Sequence, residues 1–369
     1  MLALTINYID MIDMTTGWAM AMAGTSGQTA NHVFRTEDGG ATWRDVSPVM
    51  EEDYHGFLFP DAQLAWIWSR DGERSWRTQN AGQKWSALED PPTPRPHRTW
   101  FNDSQHGWRI GVEGWERSLN GMYVDYLETT QDGGQTWQEM NPPPGNGVVF
   151  IAFPDAQTAW ALRAWVEVID YDMPNLVVPF LVQTTSDGGK TWTSQNMPLP
   201  PEADQVNDGY GSTYLAGAGI CGFVAPVYSS SAIWKLALTC GTRGWMYTTV
   251  NQGKTWIINS LPQGGYITEI EFADPTNGWL LSQDLVDLSQ SILYHSTNGG
   301  QSWALLKRTQ WAYAQLNFLD AQSGWAVAFA CSDADCIEYE YDSGLAETAL
   351  LRTIDAGRTW ELIEPQLAQ

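Results

Sequence analysis

Basic residues are scarce in this chain. Its 369 residues hold 19 Lys and Arg, five of them lysine, against 43 Asp and Glu, for a formal charge of −24. A nucleic-acid groove or an anionic membrane surface needs clustered positive side chains, so both are excluded as partners. Long hydrophobic runs are missing too. No stretch of 18 apolar residues occurs, and no integral membrane segment is expected. The opening, Met1 to Asn7, shows neither a basic nor a long apolar region, so no targeting segment is visible in it. Histidines are few, and His32, His55, His97, His106 and His295 are scattered without metal-ligand spacing. No metal and no cofactor is assigned. Helical periodicity is absent throughout, which points away from helix-based folds.

What the chain has in excess is tryptophan, 21 residues, within a 43% hydrophobic composition that can build a large core. A pattern of Ser/Thr, any, Asp/Asn, any, Gly, any, any, Trp occurs seven times. The copies run Thr36–Trp43, Thr78–Trp85, Thr130–Trp137, Thr185–Trp192, Thr249–Trp256, Ser296–Trp303 and Thr353–Trp360, with a mean spacing near 53 residues. A second series, Trp18, Trp66, Trp108, Trp160, Trp234, Trp279 and Trp325, falls between them and usually follows Gly or Ala. An indole buries roughly 150–250 Å², and at about 25 cal/mol/Å² that is an upper bound of about 4–6 kcal/mol each. Both series are read as core.

One repeat shows the local logic. Val148 to Phe153 is an apolar, β-branched and aromatic run, and Pro154 to Gln157 is a turn cluster. Trp160 to Ala164 and Phe180 to Thr184 are two further strands. Asp187-Gly188-Gly189 is a hairpin turn, in which Asp bonds backbone amides and Gly supplies positive φ. Trp192 opens a fourth strand. Four antiparallel strands per repeat and seven repeats predict an all-β fold, a seven-bladed β-propeller with the box turn between third and fourth strands. The blades are expected at 1–48, 49–92, 93–143, 144–200, 201–262, 263–308 and 309–369, as one domain. Ring closure is expected from packing of blade 1 on blade 7, helped by a strand from residues 2–5, with Glu361 to Glu364 as the last outer strand.

The seven boxes resemble the Asp-box, or BNR repeat. The fuller pattern, Phe318-Leu319-Asp320 through Gly324-Trp325-Ala326 and then Leu351-Arg352-Thr353-Ile354-Asp355-Ala356-Gly357-Arg358-Thr359-Trp360, is similar to the photosystem II stability/assembly factor family and its bacterial relatives. That resemblance implies a non-catalytic scaffold binding a membrane-protein precursor outside the cytoplasm. This chain departs from the family in its long acidic loops, where the family's binding surface is arginine-rich.

Spacing separates two faces. From each box tryptophan to the next second-strand tryptophan the distances are 23, 23, 23, 42, 23 and 22. From each second-strand tryptophan to its own box they are 25, 19, 29, 32, 22, 24 and 35. In an up-and-down blade the two-to-three loops and the blade crossings emerge on one face, so the irregular lengths share that face. Insertions gathered on one face of a repeat protein mark its working surface. The residues there are aromatic and charged: Arg109, Glu113, Trp115, Arg117 and Tyr126 in blade 3; Arg163, Trp165, Asp170 and Tyr171 in blade 4; Tyr210 in the blade 4–5 crossing; Tyr339 and Tyr341 in blade 7. They suit a protein or glycan partner. Carbohydrate-active propellers, lectin-like or hydrolytic, are therefore the alternative to a protein-binding scaffold. No sialidase arginine triad is evident, and no catalytic residue is assigned.

Cys221 and Cys240 bracket a hairpin whose turn is centred between Ser230 and Ser231, and should face each other across it. Cys331 and Cys336 bracket a short loop. Both pairs are expected as disulfides, which places the chain in an oxidising, extracytoplasmic compartment; separately, a monomer is expected. Gly217-Ala218-Gly219-Ile220-Cys221-Gly222 matches a dinucleotide-binding glycine pattern, but without strand–helix context it is set aside.

Overall fold

Each box folds as its side chains dictate. Thr185 Oγ1 donates to Asp187 Oδ1 (2.8 Å) and accepts from Gly189 N (2.9 Å), while Asp187 accepts from Thr191 N (3.0 Å) and Thr191 Oγ1 (2.6 Å). The same Thr/Ser–Asp/Asn–Gly core recurs in the other six boxes. Hydrogen bonds from Thr136 and Thr191 hold the Asp132 and Asp187 carboxyls down to about 2. In every blade the fourth box residue donates its N–H to the turn between first and second strands, as Gly188 N does to Gln157 O (2.9 Å). The two short turns therefore share one face, and the long loops lie at the opposite ends of the strands.

The computed structural model describes residues 4–368 apart from 26–27, 50–53, 70–73, 90–95, 104, 112–123, 125, 146–147, 171–172, 201–204, 208–212, 216–220, 231, 241 and 330–347. The architecture is a seven-bladed β-propeller of mostly four-stranded antiparallel blades. Two compact units divide it: Met1–Asp90 with Gly264–Gln369, holding blades 1, 2, 6 and 7, and Pro91–Gln263, holding blades 3, 4 and 5.

In the first unit, a tryptophan of one blade stacks on a phenylalanine of the next. Trp18 lies 5.3 Å from Phe59 and Trp279 3.5 Å from Phe318, both nearly parallel. The stacked phenylalanine crosses the small residue before its own blade's tryptophan, and a Cβ on Gly324 would collide with the Phe318 ring. That explains the Gly before the indoles of blades 6 and 7, where a Cβ would meet the Phe272 and Phe318 rings. The indole nitrogens reach into the following blade, Trp279 Nε1 to Ala356 O and Trp325 Nε1 to Gly39 O.

Blade 1 packs on blade 7 in one apolar cluster, as expected, but the strand expected to help is a different one. Residues Leu4–Met11 form the first strand of blade 1 itself, paired with Gly17–Thr25. The closing strand comes from the other terminus: Gln366–Leu367 adds in parallel to the outer strand Thr42–Asp45, with Gln366 opposite Thr42 and Leu367 opposite Trp43. The inner strands of blades 7 and 1 are laced by side chains. Gln315 accepts from Ile9 N (3.1 Å) and donates to Ile9 O (3.0 Å), and Asn317 accepts from Met11 N (2.8 Å).

In the second unit, Trp108 stacks on Phe153 at 4.7 Å, repeating the first unit's arrangement. Blade 5 departs from it. Six second-strand tryptophans pair with the residue preceding the box Thr or Ser, as Trp108 does with Thr129. Trp234 instead pairs with the box threonine Thr249, and the buried Lys235 takes the tryptophan register position. Trp234 thus belongs to the small-residue position, and its ring stacks on Trp160 at 4.7 Å and 8°. It supplies the aromatic surface that a first-strand phenylalanine supplies elsewhere. The Cys221–Cys240 register holds, although the hairpin turn is centred one residue later than expected and a bulge between Val224 and Tyr228 makes up the difference.

Candidate functional site

The largest departure from four-stranded regularity lies on the long-loop face of blade 4. The second and third strands, expected to stop at Ala164 and start at Phe180, run Ala159–Asp170 and Met173–Thr185. Val166, Val168 and Ile169 on one arm and Leu176, Val177 and Val178 on the other favour extended backbone, so the loop continues as hairpin. Pairing proceeds through Trp165 with Val177 and Glu167 with Asn175 to Asp170 with Met173. The blade 4–5 crossing contributes a second hairpin, Gln205–Asn207 with Thr213–Leu215, which joins the extension by pairing Val177 with Tyr214 and Val178 with Thr213. Two insertions distant in sequence thus merge into one sheet. Six residues from Trp165 to Asp170 project it about 20 Å past the blade.

Trp165 and Asp170 lie on this hairpin. Arg163 sits at its root, half-buried with its guanidinium over Gly145, and burial lowers its pKa. Arg109 is inside blade 3 at 3% exposure, where it is paired with Glu128 and lies 4.5 Å from the Trp137 ring centroid. Tyr126 pairs with Gly111 and lays its ring over that residue. Glu113, Trp115, Arg117, Tyr171, Tyr210, Tyr339 and Tyr341 lie outside the described residues, as do Cys331 and Cys336.

A second constellation was not anticipated. Asp10, Glu269 and Glu271 stand on the inner strands of blades 1 and 6, near Tyr8. Glu271 Oε1 accepts from Phe318 N (2.9 Å), and Glu269 accepts from the Leu316 N–H. Glu271 Oε2 is buried and has no partner among the described residues. Burial raises the Asp10 and Glu269 carboxyls to about 7 and that of Glu271 to about 8, and it raises the Tyr8 phenol as well. Register explains the placement of Asp10 and Glu271. Asp10, Glu271 and Asn317 each pair with their blade's second-strand tryptophan, so all three occupy one repeat position. The signal was an acid or amide beside the last large apolar residue of a first strand. Among the described residues no group of three or more His, Cys, Asp or Glu is arranged to hold a metal.

No family model and no curated protein matches the sequence. Solved structures do match the fold. YCF48 bound to a D1 peptide aligns at a TM-score of 0.55 and 16% identity, over 96% of this chain and 92% of that one. YCF48 from Cyanidioschyzon merolae aligns at 0.55 and 14%, over 97% of each chain. A puromycin-hydrolyzing peptidase of Mycobacterium tuberculosis also aligns at 0.55, with 12% identity, over all of this chain and 54% of that one. The likeness to the photosystem II assembly factor YCF48 spans nearly the whole propeller, and at these identities it is a likeness of fold.

Proposed function

We propose that the chain is a non-catalytic binding propeller, a scaffold that holds a protein partner on its long-loop face. The observation that carries this reading is the sheet built from two insertions of blades 4 and 5 on that face, while all seven box turns keep one geometry on the other. A fold family member with a D1 peptide bound supports a peptide-like partner. Tests should compare the two faces. A photo-crosslinking residue at Val166 should capture partner protein in the native host, whereas the same group at Ile354, 63% exposed within the last box, should not. Capture from Ile354 alone would overturn the reading.

An extracytoplasmic location belongs to the same proposal. It is supported by Cys221 and Cys240 standing opposite each other in register, with no free cysteine among the described residues. Alkylation without reductant should leave both unlabelled in mass spectrometry. Labelling of both would remove the argument for an oxidising compartment.

A further inference from the structure

Resting on the protein-binding reading, we infer that the edge of the blade 4 hairpin from Trp165 to Asp170, with which no described strand pairs, is a strand-addition site for an extended basic segment of a partner. The first strand of blade 4 pairs with the second only from Val148 opposite Arg163 to Ala152 opposite Trp160. Beyond Arg163 the second strand has, among the described residues, a pairing partner on one side alone, the third strand, through Asp170. The sheet order puts the crossing hairpin on the far side of that third strand, so it does not cover this edge. Alternate residues of a strand aim their N–H and C=O at the same edge, so six residues present about three such pairs outward. Main-chain groups of this kind give a sequence-tolerant grip on any extended chain, with charge and side chains adding selectivity.

Charge decides the occupant. The edge carries Glu167 and Asp170, and the chain as a whole is at −24. A second copy pairing edge to edge would set these acids and that net charge against themselves, which is how natural edges are kept from self-pairing. A strand bearing Lys or Arg meets attraction instead, both in steering and in cross-strand pairs.

The test uses the unmodified protein and three labelled octapeptides. One is Lys-Val-Arg-Val-Thr-Val-Lys-Val, one its Glu/Asp counterpart, and one the basic peptide N-methylated at four adjacent central residues, which keeps charge and side chains but blocks both of its edges. The basic peptide should bind at least tenfold more tightly than either of the others, and it should slow amide exchange within 165–170. Equal binding of the N-methylated peptide, protection confined to other segments, or no binding of the basic peptide would overturn the inference. So would concentration-dependent dimerisation in sedimentation that the basic peptide competes away, because the occupant would then be a second copy. Crosslinking from Val166 without sensitivity to N-methylation would leave the scaffold reading standing and remove strand addition alone.

Discussion

From blade 6 through blade 7 to blade 1, inner-strand side chains reach across each seam and hydrogen-bond the backbone of the next blade; between blades 4 and 5 the seam is aromatic. Glu269 and Glu271 hold Leu316 and Phe318, and Gln315 and Asn317 hold Ile9 and Met11. The corresponding blade 4 positions, by pairing with Leu162 and Trp160, are Phe150 and Ala152. They join Trp160, Trp234, Tyr247 and Phe180 in one apolar cluster. Polar lacing fixes register, because a one-residue slip would orphan buried backbone groups. Aromatic area supplies energy without specifying register, and blade 5 shows it: Trp234 stacks from a position one residue away from the usual indole. Trp234→Ala should therefore have the largest effect, about 3–5 kcal/mol in urea unfolding. The Trp160→Ala and Trp234→Ala costs should be non-additive, since the two rings share one contact. Additive costs, or a loss under about 1 kcal/mol, would break the comparison.

The laced seams should respond to pH where the aromatic one does not. The carboxyls of Asp10, Glu269 and Glu271 are raised in the folded chain to about 7, 7 and 8, above their values when unfolded. Between pH 4 and 8 the native state therefore holds more protons than the unfolded state. Their contribution is fully present below about pH 4 and is lost as pH rises through 7–8. The double change Glu269→Gln with Glu271→Gln should raise stability at pH 8 by roughly 1–3 kcal/mol and flatten the dependence between pH 5 and 8. An amide keeps the acceptor for each backbone N–H, as Gln315 and Asn317 already do. Thermal unfolding at both pH values is the measurement, and an unchanged slope would show that these carboxyls are hydrated and ordinary.

Removing the neutral lace is a smaller perturbation. Gln315→Leu would leave the N–H and C=O of Ile9 without their partner, for about 1–3 kcal/mol. Hydrogen exchange should quicken in Leu4–Met11 first, and uniform loss across all blades would argue against a local clasp. Such lacing was hard to read in the sequence, because Glu269, Gln315 and Asn317 take their roles from a neighbouring blade that no local pattern names. The boxes, the strand count and most core indoles were legible because each is fixed within its own repeat. Trp234 was misplaced by one register position, and Ile233 before it, where Gly or Ala stands elsewhere, was the sign. The blade 4 hairpin read as a loop because Trp165, Glu167 and Asp170 look like recognition residues, while Val166, Val168 and Ile169 between them favour strand.

The box turns are common to both regions, so they are the control for the comparison. The fourth box position is left-handed throughout the seven copies, with φ 73° at Gly188 but 58° at Gln252, a residue with a side chain. A left-handed residue other than Gly costs about 1 kcal/mol through its Cβ. Gly188 is the clean place to measure this, because an added Cβ there meets nothing nearer than 3.6 Å. Gly188→Ala should therefore destabilise by about 1 kcal/mol through backbone strain alone. Gln252→Gly should stabilise by slightly less, since the glycine also frees the unfolded chain. Its N–H bond to Ala232 O is a backbone bond and would survive the change. Opposite signs in chemical denaturation would confirm that the box is a backbone device in blades 4 and 5 alike. Two changes of the same sign would mean that the Gln252 side chain, and not its φ, decides the stability of that turn.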